Sequence, residues 1–469
     1  MIISFVFFLA LFVVIGLSSY FKSQNTASDY YIAGGTLPPW LVGLSAVATN
    51  NSGYMFIGVI GYTYATGLAS VWLMIGWILG DLAGSLLIHR RFIQVVKQSG
   101  EVSFAGVMSV WFQEGRRPLD VLIAIISVIF LLAYTSAQLV AGSKALHVLL
   151  SWPMWSGAVI GAVLVALYCM AGGIRASIWT DAAQSFVMMV AMALLLVVAV
   201  SGLGGTGSAI LQLESVDGFM DWNPKDLVVD GILGVLLFVL GWFFAGLSTL
   251  AQPHIMVRFM ALNKVENLVR ARVWYYAWFI IFYCLATAVG LLSRVYLPDT
   301  GTFDAELALP TMAMNLLPGI FVGLILAGIF AATMSTADSL VMSCSAAISQ
   351  DLLKGKINSK IGLTITTVLI VVFALAWALV GEGSVFQLVI FAWSGLASAF
   401  GPLLITLCFG YRPKVSAAVS AIVIGLVVAV AWRVLGWHGW IYEGLPAMSC
   451  GFGILMFYHL MDLRRERKA

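Results

Sequence analysis

The sequence predicts an all-α polytopic membrane protein. Of its 469 residues, 61% are hydrophobic and only 10% are charged, which is too little polar surface for a soluble chain. About thirteen apolar stretches follow one another, each near the roughly 20 residues that a helix needs to cross a hydrocarbon core about 30 Å thick. Basic residues gather in alternate gaps between these stretches, as expected for a chain that crosses a membrane repeatedly.

The first apolar stretch has no basic residue before it and is too long for the apolar part of a signal peptide, so we interpret it as a retained span. The chain contains 46 glycines, as expected where helices pack closely in lipid. The predicted spans cover approximately residues 2–21, 40–66, 68–88, 119–146, 154–172, 179–203, 228–251, 273–295, 311–345, 361–381, 385–409, 415–435 and 440–461.

The distribution of basic residues also predicts orientation. With the N-terminus outside, 20 of the 24 lysines and arginines fall on the cytoplasmic side. The outside keeps only Lys144, Lys225, Arg294 and Arg433. We therefore expect a multi-pass protein of a bacterial-type inner (plasma) membrane, with an odd number of spans and a cytoplasmic C-terminus.

Composition excludes several functions. The net charge of +3 is too small to indicate nucleic-acid binding, and the five cysteines lie in apolar stretches without metal or redox spacing. The phosphate-binding pattern GxxxxGK[ST] does not occur, so we expect no ATP-driven step. The lipid bilayer and a small-molecule solute are the expected partners, and the oligomeric state stays open.

Two spans are predicted to be broken near the membrane centre. The second span contains LSAVATNNSGYMFIG, with residues 50–53 at its middle. The seventh contains LGWFFAGLSTLAQPH, with Gly241, Gly246, Ser248 and Pro253. Discontinuous helices at corresponding places in two halves of a chain indicate an inverted-repeat secondary transporter. The alternative is that these small residues only allow close helix packing.

Three carboxylates lie within spans, where ionisable groups mark functional sites more often than elsewhere. Asp81 is in the third span, Asp181 opens the sixth, and Asp338 is in the ninth. A helix–helix hydrogen bond is the alternative for Asp81, and water exposure or helix capping is the alternative for Asp181.

Hydroxyl groups cluster next to Asp338. Ala332, Ser335, Thr336 and Ser339 recur at steps of three and four, so they share one helical face. Two hydroxyls together with carbonyl oxygens from a broken helix suit a hard cation such as Na⁺. In the alternative, each hydroxyl bonds only to a carbonyl of its own helix. Tyr54, Tyr134 and Trp242 lie within spans near this candidate site, where they either contact a solute or pack the core.

Long motifs, in order along the chain, resemble the sodium/solute symporter family: DYYIAGGTLPPW, LSAVATNNSGYMFIG, GGIRASIWTDAAQ, AQPHIMVRFMA, AATMSTADSLVMSCSAAISQDLLK and FAWSGLASAFGPLLITL. The resemblance implies a LeuT-like core of two inverted five-helix repeats. It divides the chain into an additional N-terminal helix and linker (1–39), a first repeat (40–204), a second repeat (227–410) and two C-terminal helices with a basic tail (411–469).

The resemblance also implies site residues, with Na⁺ as the coupling ion. The positions that match the family's sodium site are Ala48, Asn51, Ala332, Ser335 and Thr336. Those that match a second sodium position of some members are Asp181, Asp338 and Ser339. Those that match the solute pocket are Asn50, Ser52, Tyr54, Gly58, Tyr134 and Trp242.

Two departures from the family pattern bear on the solute. Proline-carrying members have Asp where this chain has Asn50, whereas sugar-carrying members have Asn, and the missing carboxylate leads us to consider Asp338 as its replacement. The stretch around Trp242 is also about three residues longer than in proline carriers.

The expected function is Na⁺-coupled uptake of a small zwitterion, with proline or a related amino acid as the first candidate. The alternatives are symport of a sugar or organic acid, and a nutrient sensor derived from a transporter. An intramembrane enzyme is disfavoured because no nucleophile–base pair or metal motif lies within the spans. A passive channel is disfavoured by the broken helices.

Overall fold

A computed structural model describes residues 1–19, 26–112, 116–225, 227, 229–298, 301–357, 359–381 and 384–466. Within these ranges the regular structure is helical, and the β-structure is limited to one isolated bridge between Leu37 and Leu262. The predicted all-α fold is therefore confirmed. Three of the basic residues used for the orientation, Lys22, Arg467 and Lys468, lie outside the described residues.

The α-helices of the described residues are α1 (Ile2–Ser18), α2 (Ala27–Ile32), α3 (Pro39–Gly53), α4 (Ile60–Thr66), α5 (Val71–Gly84), α6 (Arg90–Ser99), α7 (Phe104–Ser109), α8 (Arg116–Leu150), α9 (Met154–Gly202), α10 (Thr206–Glu214), α11 (Ile232–Leu247), α12 (Pro253–Met260), α13 (Leu268–Tyr296), α14 (Ala308–Leu316), α15 (Gly319–Ala346), α16 (Lys360–Val380), α17 (Val385–Cys408), α18 (Val415–Val434) and α19 (Gly444–Glu466). Three π-helical segments, Tyr54–Val59, Ser85–His89 and Ala347–Leu352, continue α3, α5 and α15, and shorter 3₁₀ turns join other helices.

All thirteen predicted spans coincide with apolar helices. Ten helical stretches of the described residues are long and apolar enough to cross a membrane, and the stretch Pro39–Ser99 holds two predicted spans. The shorter helices Ile2–Ser18 and Met154–Leu167 match the first and fifth spans. The largest difference is in the ninth span, because the predicted range 311–345 begins in the separate helix α14. The division into two repeats stays a prediction.

Both predicted breaks are present. In α3, Ser52 departs from helical geometry, with φ of 20° and ψ of −177°, before the chain continues through the π-helical turn. After α11, a 3₁₀ turn over Ser248–Ala251 leads to an extended Gln252, and α12 starts at Pro253. Gly246 lies within α11 itself, where a side chain would place its Cβ 1.9 Å from the Trp77 carbonyl oxygen of α5. Glycine there permits the close contact of α5 and α11.

Helix α15 forms the centre of the bundle. Every residue from Val322 to Ala346 is buried, and α15 packs against α1, α3, α8 and α9. Helix α9 is divided by Gly173, which has a φ of +59°. Its two arms match the fifth and sixth predicted spans, and both pass α15, at Met334 and Gly328. Helices α3 and α12, which border the two breaks, both pack against this central helix.

Candidate functional site

Two hydroxyls of α15 contact the backbone of α3 just before its break. Ser335 Oγ donates to the Ala48 carbonyl at 3.2 Å, and Thr336 Oγ1 donates to the Thr49 carbonyl at 2.8 Å. Ser335 also donates to the Ala332 carbonyl of its own helix at 3.1 Å. The hydroxyls thus reach across to α3, which bonding within α15 alone does not explain. They form a fully buried group of hard oxygen atoms at a helix break.

Asn51 lies beside this group, with a different set of contacts. Its Nδ2 donates to the Val47 carbonyl at 2.9 Å. Its side-chain Oδ1 is buried and has no hydrogen-bond partner among the described residues. A buried carbonyl oxygen without a partner is costly, and a bound cation is one way to satisfy it. No hydrogen bond in the described residues joins Asn51 to Ser335 or Thr336.

A charged cluster lies further along α15. Arg258 of α12 is fully buried and donates to Ser177 and Ser339. Its guanidinium lies 3.3 Å from Asp181 and 3.6 Å from Asp338. Asp338 also accepts from Ser177 at 3.0 Å and from Ser339 at 3.1 Å. The structure therefore brings together the three residues predicted for a second sodium position, and it adds an arginine that the sequence analysis had counted only among the basic residues of the cytoplasmic side.

Arg258 lies within helix α12 and is fully buried. Burial concerns its exposure and not its side of the membrane, so the 20-to-4 distribution stays a prediction. A sequence signal was present, because Arg258 interrupts the apolar run HIMVRFMAL. Two carboxylates and one guanidinium leave one formal negative charge. Ser45 donates to Asp181 at 2.6 Å, and Thr49 Oγ1 lies 3.2 Å from Ser339 Oγ, so α3 contacts both this charged cluster and the hydroxyl pair.

Polar contacts surround the break of α3 at Ser52. Its hydroxyl oxygen accepts from the Tyr134 hydroxyl at 3.2 Å and from the Tyr54 backbone N–H at 3.0 Å. The Gly53 backbone N–H donates to the side chain of Gln138 at 2.8 Å. Tyr134 and Gln138 are one turn apart on α8. Gln138 is an addition to the predicted pocket, and its only sequence signal was an amide within an apolar span.

Aromatic rings cover the other side of the break. The Tyr54 ring centroid lies 5.6 Å from that of Trp77 and 5.2 Å from that of Phe386. A Cβ on Gly58 would lie 3.1 Å from the Tyr54 ring and 3.2 Å from Phe386, so glycine allows these rings to pack. Trp242 stacks on Trp77 at 6.0 Å and is therefore one ring removed from Tyr54.

Trp242 also lines a cavity of about 390 Å³. Tyr62, Phe386, Arg433 and Glu443 line the same cavity. Arg433 and Glu443 form an ion pair at 2.7 Å across it. Phe386 therefore separates this cavity from Tyr54, and the aromatic layer lies between the open cavity and the break of α3.

Asn50 contacts a third buried carboxylate. Its Nδ2 donates to Asp81 Oδ2 at 3.3 Å and also to the Tyr275 hydroxyl. Tyr275 donates to the same carboxylate oxygen at 2.6 Å, and Tyr276 donates to Asp81 Oδ1 at 3.2 Å. Asp338, which the sequence analysis considered as the carboxylate that replaces the family's Asp, instead belongs to the cluster around Arg258.

The described residues contain no group of three or more His, Cys, Asp and Glu side chains that could hold a metal ion. Any cation bound here must use hydroxyl, carbonyl and amide oxygens with at most one or two carboxylates. Such hard oxygen ligands suit alkali and alkaline-earth cations and disfavour zinc or copper.

A family model described as the sodium:solute symporter family matches residues 30–425. The chain is 28% identical over 460 residues to the high-affinity proline transporter PutP of Bacillus subtilis, covering 96% of this chain and 95% of the relative. It is also 28% identical over 479 residues to the sodium/proline symporter of Escherichia coli, covering 97% and 92% of the two chains.

Two solved structures share the fold. A Na⁺-coupled sialic acid symporter in a substrate-bound, outward-open state superposes with a TM-score of 0.80 at 19% identity, over 96% of this chain and 95% of the other. Mhp1, a nucleobase-cation-symport-1 family transporter in a closed conformation, gives a TM-score of 0.60 at 13% identity, over 94% of each chain. These similarities support the LeuT-like architecture predicted from the sequence.

Proposed function

The chain belongs to the sodium:solute symporter family, and we propose that it couples inward Na⁺ movement to the uptake of a small zwitterionic solute, with proline as the first candidate. The observation that supports this most directly is the contact of Ser335 and Thr336 with the carbonyls of α3 beside its break. The relatives named above as proline transporters cover nearly the whole chain.

Na⁺ would bind where α3 meets α15. The proposed ligands are the Ala48, Asn51 and Ala332 oxygens together with the hydroxyls of Ser335 and Thr336. A cation there links a broken helix to the central helix and therefore fixes the geometry of the break. Binding of solute and of Na⁺ would then favour each other to the same extent, because coupling between two ligands is reciprocal.

The solute would bind at the break itself. Unpaired backbone N–H groups of a broken helix suit a carboxylate, and unpaired carbonyls suit an amine. Ser52, Asn50 and Tyr134 supply polar side chains, whereas Tyr54, Gly58 and Trp242 border the apolar side. A small ring such as that of proline fits an aromatic surround better than a long polar chain does.

The charged cluster is proposed as a second cation position on the route from the first site. Asp181, Asp338 and Ser339 offer the oxygens, and Arg258 neutralises one of the two carboxylates. The remaining negative charge would attract Na⁺ as it leaves the hydroxyl pair. Thr49 lies between the two positions, since it contacts Thr336 through its carbonyl and Ser339 through its hydroxyl.

Uptake into proteoliposomes tests the function. A sodium gradient should drive accumulation of proline, and Ser335→Ala or Thr336→Ala should raise the half-saturating Na⁺ concentration about tenfold, equivalent to about 1.4 kcal/mol. Ser343→Ala is the matched control, because Ser343 lies on the same helix and its hydroxyl has no partner among the described residues. An unchanged sodium dependence in both variants would contradict the site.

A ligand screen tests the solute independently. A ligand that binds only the folded protein raises its thermal stability, and a coupled solute should do so more strongly with Na⁺ than with choline. Stabilisation by a sugar or a dicarboxylate, with none by proline or related amino acids, would contradict a zwitterionic solute. It would not contradict Na⁺-coupled symport. Stabilisation that ignores Na⁺ would contradict coupling.

The proposed orientation places the N-terminus outside and the C-terminus in the cytoplasm. Lys225 and Lys356 are both exposed and lie in gaps of opposite predicted side. In a variant with all five cysteines replaced by serine, single cysteines at these positions should react with impermeant reagents from opposite faces of the membrane. Labelling of both from the same face would contradict the orientation.

A further inference from the structure

Asp81 is a buried carboxylate that the proposed sodium sites do not use. It lies past the middle of α5 and is 2% exposed. Both of its oxygens accept hydrogen bonds, but all three donors are neutral: the Asn50 amide, the Tyr275 hydroxyl and the Tyr276 hydroxyl. In the described part of the chain, Asp81 forms no ion pair.

We propose that Asp81 is a proton-binding site, whose protonation changes the hydrogen bonding of Asn50 at the broken helix and so links proton binding to transport. This inference rests on the proposed symport function. The ligand is H⁺, and the binding step converts a carboxylate into a carboxylic acid. No redox partner or further reactant is needed.

The physical reason is the cost of a buried charge. A carboxylate without a cation partner inside a membrane protein is expensive, and protonation removes that cost. The neutral donors lower the cost of the ionised form without abolishing it. Asp81 can therefore exist in both the ionised and the protonated form during a transport cycle.

Protonation would reverse one hydrogen bond. An ionised carboxylate only accepts, so Asp81 holds the Asn50 amide with its NH₂ group towards Asp81 and Tyr275. A carboxylic acid must also donate its proton. The neighbouring acceptors are the Tyr275 hydroxyl oxygen and, after rotation of the amide, Asn50 Oδ1. Asn50 lies two residues before the break of α3 at Ser52 and belongs to the proposed solute pocket, so its rotation acts directly on that site.

A row of polar side chains leads from Asp81 to the end of α5. Ser85 and His89 follow at steps of four, in the π-helical segment, and Ser85 Oγ lies 3.1 Å from His89 Nδ1. Arg272 of α13 donates to Ser85 Oγ at 2.9 Å. This is the end of the bundle that we assign to the cytoplasm. The row therefore offers a route for the proton between Asp81 and that side.

The groups that would influence the titration come from few elements. Helix α11 and the turns Gly67–Ser70 and Ser248–Ala251 pack against α5 and contain no titratable side chain. The titratable and charged groups around Asp81 are Tyr275, Tyr276, Tyr283 and Arg272 of α13, His89 beyond α5, and Tyr54, which contacts Trp77. Arg272 opposes protonation but is turned towards Ser85, and it does not pair with Asp81.

Infrared difference spectroscopy on the purified protein in lipid tests the site without any solute. A carboxylic acid band should grow as the pH is lowered, and it should be missing in Asp81→Asn. Asp217→Asn, in an exposed loop segment, is the matched control and should keep the band. If Asp81→Asn does not fold, Asp81→Glu should move the band instead. If neither Asp81→Asn nor Asp81→Glu alters a titrating band in the difference spectrum, the inference is overturned.

Transport in proteoliposomes then tests coupling, with proline as the probe. With equal Na⁺ on both sides, an outside-acid pH gradient should drive accumulation in the wild type. The ratio of pH-driven to sodium-driven accumulation should fall to background in Asp81→Asn. Sodium-driven uptake with no response to the pH gradient would overturn proton coupling and leave the proposed function standing. If neither gradient moves proline, the proposed solute fails, and the infrared result alone decides whether Asp81 binds a proton.

Discussion

Two groups of buried carboxylates contact α3, and they balance their charge in opposite ways. Asp181 and Asp338 share the guanidinium of Arg258, at 3.3 Å and 3.6 Å. Asp81 accepts hydrogen bonds only from neutral donors, at distances of 2.6–3.3 Å. Burial is nearly complete in both groups, so burial alone does not explain the difference.

The charge of Asp181 and Asp338 is compensated by one cationic side chain, which we call concentrated compensation. The charge of Asp81 is compensated by three neutral donors, which we call distributed compensation. A guanidinium carries a permanent charge with five donors, so removing it leaves two carboxylates uncompensated at once. Hydroxyl and amide donors each contribute a part of the stabilisation of Asp81, and each can be lost separately. The first arrangement concentrates the compensation in one side chain, whereas the second divides it among three. We therefore expect large effects of substitution at Arg258 and smaller, separable effects around Asp81.

The largest effect is expected for Arg258→Gln. Removing one partner of a buried ion pair costs about 3–5 kcal/mol, because the remaining charge is left without compensation. Thermal unfolding in detergent and the yield of folded protein would measure the loss. Arg270→Gln is the matched control, since Arg270 is exposed on α13. An equal thermal stability of the two variants would mean that Arg258 does not carry the charge balance.

A second substitution should reverse part of this loss. In the Arg258→Gln background, Asp338→Asn removes one of the two stranded carboxylates. The double variant should recover about 1–3 kcal/mol relative to Arg258→Gln alone, the usual size of coupling between residues in one charged network. The double-mutant cycle is completed by Asp338→Asn alone. Additive losses would show that Arg258 and Asp338 do not interact, and they would contradict compensation of both carboxylates by Arg258.

The sequence predicted the spans and the breaks because both depend on local properties. Apolar length and the positions of small residues determine where a helix can cross and where it can open. The contact of Ser335 and Thr336 with α3 also agrees with the oxygen-rich helical face inferred from their spacing. The start of the second break was predicted less well, because Gly246 allows close packing against α5 and is not part of the break.

The charge partners could not be predicted in the same way. Arg258 is 77 residues from Asp181, and Tyr275 is 194 residues from Asp81, so only the packing of helices brings them together. The rule that places basic residues on the cytoplasmic side treats Arg258 as a topology signal, and it carries no information on which carboxylates a buried arginine contacts. The same separation in sequence explains why Asp338, and not Asp81, was considered as the replacement for the carboxylate that proline-carrying members have at the position of Asn50.

A smaller effect is expected for Tyr275→Phe. The substitution removes the donor at 2.6 Å from Asp81 and the acceptor for Asn50, while the ring stays in place. Hydrogen bonds to charged groups contribute about 1.5–3 kcal/mol, so the loss of unfolding free energy should fall in that range. Tyr283→Phe is the matched control, because Tyr283 is buried on the same helix and forms no described hydrogen bond with Asp81. A loss as large as that of Arg258→Gln would contradict distributed compensation.

The smallest effect is expected for Tyr276→Phe. Its hydroxyl lies 3.2 Å from the other oxygen of Asp81, a longer and weaker hydrogen bond than that of Tyr275, and the side chain is only half-buried. A loss of about 0.5–1 kcal/mol is expected by thermal unfolding, less than for Tyr275→Phe.

The rings of Tyr275 and Tyr276 are in contact, with centroids 4.8 Å apart, so the double variant Tyr275→Phe with Tyr276→Phe tests their independence directly. A double loss close to the sum of the single losses means that each donor stabilises Asp81 on its own. A double loss as large as that of Arg258→Gln would mean that the two hydroxyls act together as one counter-charge, and the difference between the two carboxylate groups would disappear.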